Sequence, residues 1–158
     1  MSTIIEQRVA TLLGNFGLLP FVALAIASWL PLSAVPARLI ELAFVGYAAV
    51  ILSFLGAVHW GLAMLTPQFN KPQTWYVLSW GVLPALLGWL ALLLAMAGVR
   101  FWIVCLVLAT DFLLCRLMDA GLLRLYPDAP GWYGPLRTRL TAGVLIAIAI
   151  ALSSALPS

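Results

Sequence analysis

Five apolar runs, each long enough to cross the hydrocarbon core of a bilayer, dominate this chain of 158 residues. A spanning helix needs about 20 predominantly apolar residues. The runs fall at roughly 12–30, 40–65, 76–97, 101–120 and 140–156. The second constrains the fold most: no Asp, Glu, Lys or Arg lies between Glu41 and Lys71. A lipid-embedded backbone must satisfy its own N–H and C=O groups, and a helix does so within one segment. The expected fold is an all-α integral membrane protein, a single five-helix transmembrane domain covering 1–158.

Composition argues against a soluble domain. Only 8% of residues are charged and 65% are hydrophobic, whereas soluble domains carry roughly a quarter charged residues. The lipid bilayer is therefore the first partner. The net charge of +3 includes no basic cluster of the kind that binds nucleic acid. Breakers punctuate the runs. Pro31 and Pro36 close the first, Pro67 closes the second, and Gly98-Val99-Arg100 turns the third into the fourth. The stretch PDAPGWYGP reads as an ordered interfacial turn anchored by Trp132 and Tyr133. The N-terminus lacks the basic region and small-residue cleavage site of a signal peptide, so the first span reads as a retained anchor.

Charge asymmetry sets the expected orientation. Five crossings put Arg8, Lys71, Arg116, Arg124, Arg137 and Arg139 on one side, against Arg38 and Arg100 on the other. The positive-inside rule then places the N-terminus inside and the C-terminus outside. Trp29 and Trp102 fit the outer interface, Trp75 and Tyr76 the inner one. Cys105 and Cys115 are about 15 Å apart along one helix, too far for a disulfide.

Apolar burial gives little drive for helix association in lipid, so close backbone approach matters. Ala49, Ser53, Ala57 and Gly61 recur every four residues in the second run; Gly143, Ala147, Ala151 and Ala155 do so in the fifth. Each set reads as a packing seam on one helix face. Runs one and three share GLLP and GVLP, which place Pro20 and Pro84 inside spanning helices.

The polar residues inside the spans carry the functional question. His59, the only histidine, lies in FLGAVHWGLAM, about 12 Å from the inner end of its span. Gly56 and Ala63 leave room on its face. Asp111 falls near mid-membrane on the fourth span, where an unpaired carboxylate costs several kcal/mol. Cys115, at i+4, is a weak donor to it. Arg116 and Asp119 are spaced for an ion pair within one helix. His59, Trp60, Asp111 and Arg116 are the candidate ligand-binding residues. Three readings compete: interhelical hydrogen bonding, a site for a quinone, tetrapyrrole or lipid, and a proton or ion path. No metal-ligand spacing, GxSxG, HExxH or phosphate loop occurs, so no catalytic or metal residue is assigned.

ILSFLGAVHWGLAM, WGVLPALLGWLALLL and WYGPLRTRLTAG together resemble a family of bacterial and mitochondrial membrane proteins of unknown function that includes mitochondrial transmembrane protein 69. The resemblance covers nearly the whole chain. It implies a multi-span helical protein of a bacterial inner membrane or the mitochondrial inner membrane. It also implies that His59-Trp60 and the turn from Trp132 to Arg139 belong to the family pattern; it brings no activity and no cofactor. The span count and seven tryptophans are also loosely similar to the tryptophan-rich sensory proteins, although their characteristic motifs are not evident. The expected function is non-enzymatic: an accessory or assembly component packing against another membrane protein or itself. The alternative is a binding protein for a hydrophobic small molecule at His59 and Asp111, and transport is third.

Overall fold

The computed structural model describes residues 2–30, 35–65, 70–125 and 129–155. Pro31, Pro67, Pro127, Asp128 and Leu156, assigned above to helix ends and turns, lie outside the described residues. The elements are α1 (Ser2–Ala27), α2 (Ala37–Leu65), α3 (Lys71–Met96), α4 (Phe101–Leu125) and α5 (Tyr133–Ser154). All five helices are long and apolar enough to cross a membrane.

Four of the five helices start before their apolar runs, and α1 and α5 do so by the most. α1 begins at Ser2 rather than Leu12, and α5 at Tyr133 rather than Leu140. Hydropathy finds the part of a helix that sits in hydrocarbon, not the polar turns that continue it. The interfacial segment expected to be a turn is therefore partly the start of α5. Pro135 fits there because the first N–H groups of a helix have no intrahelical partner anyway. α3 starts at a capping box: Asn70 Oδ1 accepts from the Gln73 N–H at 3.0 Å, and Gln73 Oε1 accepts from the Asn70 N–H at 3.1 Å. It ends where Gly98 takes φ 82°, a left-handed conformation that glycine adopts without a Cβ penalty.

The helices form a closed circuit. α1 packs on α2 and α5, α5 on α4, α4 on α3, and α3 on α2; α2 also reaches across to α4. α1 and α5 run parallel, as first and last spans must after five crossings. Gly14 lies against Leu140, Gly143 against Leu18, and Trp29 Nε1 donates to the Ile150 carbonyl at 3.0 Å. An aromatic cluster fills the centre, with Phe21 edge-on to Phe44, Tyr47 and Phe112. Tyr47 Oη donates to the Gly17 carbonyl at 2.8 Å, tying α2 to α1. Tyr47→Phe is expected to cost about 1 kcal/mol. Thermal unfolding in detergent should place it below wild type, with the exposed Phe54→Leu unchanged.

The two small-residue seams have different fates. Ala147 and Ala151 are buried and Gly143 and Ala155 half-buried, and this row of α5 includes the contact with Leu18 of α1. On α2, Ala49 packs against Gly88, but Ser53, Ala57 and Gly61 are exposed. The expected α2 seam is thus mostly uncovered within the chain. α3 instead meets the adjacent face, where Gly56 touches Gly81 and Pro84. The matching row on α3 is Val77, Gly81, Pro84, Gly88, Ala91 and Ala95, all buried. Neighbouring residues on a helix point about 100° apart, so a step from Ala57 to Gly56 changes which partner is met.

Candidate functional site

Three helices bring their ionisable residues together at one end of the bundle. His59 lies in the last two turns of α2, Asp119 in the last two turns of α4, and Arg137 in the second turn of α5. The antiparallel course of α2 and α4 relative to α5 puts all three at the same end. They are buried, with Asp111 and Thr141. Arg137 Nε donates to Asp119 Oδ2 at 2.7 Å, and Arg137 Nη2 approaches the same oxygen. His59 Nε2 stands 3.6 Å from the other oxygen, Oδ1. Asp119 therefore sits between a histidine from α2 and an arginine from α5. Pairing with Arg137 offsets the penalty of holding either charge in a membrane. Tyr133, half-buried, lies one turn before Arg137 on the same helix.

Asp111 lies two turns deeper on α4. Its Oδ1 accepts from the Cys115 thiol at 3.9 Å. Asp111 and His59 line one small cavity of about 10 Å³, together with Trp80 and Pro84 of α3 and with Cys115 and Met118. Both ring nitrogens of His59 and Asp111 Oδ2 are buried without a hydrogen-bond partner in the protein. A space of that size admits about one water.

The four candidate ligand residues do not converge. His59 and Asp111 share the cavity, whereas Trp60 and Arg116 turn away from it. Trp60 is 40% exposed and donates to the Leu78 carbonyl at 3.1 Å. Arg116 donates from Nε and Nη2 to Thr138 Oγ1 at 2.9 and 2.7 Å. The expected Arg116–Asp119 ion pair is corrected accordingly. Asp119 faces the interior and is taken by Arg137, while Arg116 lies at the outer flank of α5. The interhelical partner Arg137 was missed because a basic residue beside an apolar run reads as an orientation signal. A subtler signal exists: Tyr133, Arg137 and Thr141 are spaced by four, a polar row entering an apolar helix. Cys105 and Cys115 are both free and buried. Among the described residues no group of three or more His, Cys, Asp or Glu is placed to hold a metal ion.

The family described as "Protein of unknown function (DUF3429)" matches residues 6–153, from the start of α1 to the end of α5. The chain belongs to this family. Transmembrane protein 69 of Xenopus tropicalis is 36% identical over 141 residues, covering 85% of this chain and 49% of that protein. The chain thus spans about half the length of this curated relative. No solved structure is a significant match. The resemblance carried by FLGAVHWGLAM and its companion segments is thereby established. The region matched by this family of membrane proteins includes His59, Asp111, Asp119 and Arg137.

Proposed function

We propose that this multi-pass membrane protein is a non-enzymatic accessory or assembly component that packs against a larger membrane protein or a second copy of itself. In this reading it lies in a bacterial inner or mitochondrial inner membrane with its N-terminus inside. One observation carries it. The cavity that His59 and Asp111 line holds only about 10 Å³, while the Ser53, Ala57 and Gly61 row of α2 lies bare on the outside. A ligand pocket for a drug-sized molecule occupies about 300–1,000 Å³, so a quinone or tetrapyrrole at His59 needs the helices to part. Small side chains let another helix approach closely, and Phe54 and Met64 flank the row as exposed apolar ridges.

The test is purification from native membranes in mild detergent, followed by native mass spectrometry of wild type and Ala57→Trp. The wild type is expected to retain a second membrane chain, and Ala57→Trp to lose it by about tenfold or more, at an unchanged melting temperature. Retention of the partner by Ala57→Trp would rule out this face. A wild-type chain that carries only a small-molecule mass, lost on His59→Ala, would replace the accessory reading with ligand binding.

A further inference from the structure

The bundle engages one polar row on α1 only at its deep end. Gln7, Arg8, Thr11 and Asn15 stand at spacings that bring them to one side of a helix that is otherwise largely apolar. With Ile4 and Leu12 they line an open groove of about 360 Å³. At its deep end Asn15 Oδ1 accepts a hydrogen bond from Arg139 Nη2 of α5 at 3.1 Å. Both Arg8 and Arg139 are exposed, and among the described residues neither has a carboxylate partner. Glu6 does not line the groove.

The register of α1 on α5 gives these residues a depth. Asn15 is level with Arg139 and Gly14 with Leu140, so Arg8 lies near the level of Tyr133, where α5 begins. Seven residues separate Arg8 from Asn15, about 10 Å along the axis. The row thus runs from the rim of the bundle about 10 Å inward. Side chains on a helix lean towards its N-terminus, and α1 and α5 share that end, so both guanidinium groups lean towards one interface. A guanidinium at this depth without a counter-ion is costly. The anion available at that level of a bilayer is a lipid phosphate, which arginine binds through paired N–H donors. Thr11, Asn15 and Gln7 supply hydroxyl and amide groups where glycerol esters lie, and Ile4 and Leu12 supply apolar flanks.

We propose that this groove on α1, with Arg139 of α5 at its deep end, binds the headgroup of one anionic phospholipid, with its phosphate between Arg8 and Arg139 and its glycerol esters along Thr11 and Asn15. This site is separate from the His59 cavity and does not depend on the accessory reading.

The experiment is native mass spectrometry of the detergent-solubilised chain, titrated with phosphatidylglycerol or with phosphatidylcholine of the same acyl chains. Wild type should retain one phosphatidylglycerol with a preference of about tenfold or more over phosphatidylcholine. The double variant Arg8→Gln/Arg139→Gln should bind the two lipids equally, while Arg124→Gln, which removes a charge away from the groove, keeps the preference. Asn15→Ala, which changes no charge, should weaken retention, and it serves as the test should the double variant fail to fold. Equal retention of both lipids by wild type overturns the proposal. So does a preference that survives the double variant, or one that survives Asn15→Ala undiminished. Displacement of the lipid by millimolar inorganic phosphate would show a site for a bare anion and overturn the lipid assignment.

Discussion

Arg137→Met is expected to lower the unfolding free energy by about 3–5 kcal/mol, the cost of stranding one member of a buried ion pair. Asp119 would keep only His59 at 3.6 Å, beyond hydrogen-bond distance, with its side chain 3% exposed. Asp119→Leu should cost a similar amount by stranding Arg137. The double variant Asp119→Leu/Arg137→Met should recover most of the loss, because two apolar side chains of similar bulk leave no charge to bury. The cycle therefore carries a large coupling energy between α4 and α5. Arg116→Gln supplies the contrast. Its partner Thr138 is neutral and exposed, so the loss should stay within about 1 kcal/mol. Reversible unfolding in mixed micelles measures all four. A loss at Arg116 equal to that at Arg137, or singles that simply add in the double, would remove the Asp119–Arg137 pair from the centre of the bundle.

The same pair marks the boundary between what was legible in the sequence and what was not. Helix number and type follow from hydropathy alone, because a long apolar run in lipid has one satisfactory backbone solution. The Gly98 boundary was legible too, since a left-handed glycine is local chemistry; the Asn70 cap was not read, because the apolar run begins only at Tyr76, after the polar first turn of α3. Depth was partly legible: counting residues placed His59 and Asp111 within the span, and both turn inward. Azimuth was not. Asp119 was read with Arg116, its neighbour three residues away, but it faces α5 and Arg137. Ser53, Ala57 and Gly61 form a regular row, yet the row that meets α3 runs through Gly56. Periodicity identifies a face; only the arrangement of the other helices decides whether that face is covered. The missing information is long-range. In lipid no polar–apolar division distinguishes inside from outside, because the outward faces of these helices are as apolar as the core.

Gly56→Ala should show how much depends on that arrangement, with an expected loss of about 1–3 kcal/mol from a single methyl group. A Cβ on Gly56 would collide with the Gly81 carbonyl oxygen, and one on Gly81 would meet the Trp60 ring and the Gly56 carbonyl oxygen. At Gly56 the obstacle is backbone, so no rotamer change relieves it and α2 must move off α3. That movement has a second consequence. Gly56 precedes His59 by one turn, and Trp80 and Pro84 of α3 form a wall of the His59 cavity. Separating the helices there enlarges the cavity, so hydrogen–deuterium exchange at the His59 ring should quicken along with the loss of stability. Gly61→Ala is the matched control on the same helix. A Cβ there meets nothing within 4 Å, and replacing glycine within a helix favours the folded state by up to about 1 kcal/mol. The two alanine variants should therefore move in opposite directions from wild type in a thermal melt. If Gly56→Ala melts with Gly61→Ala, the α2–α3 crossing is not a backbone contact, and the tightness of the His59 cavity must come from another source.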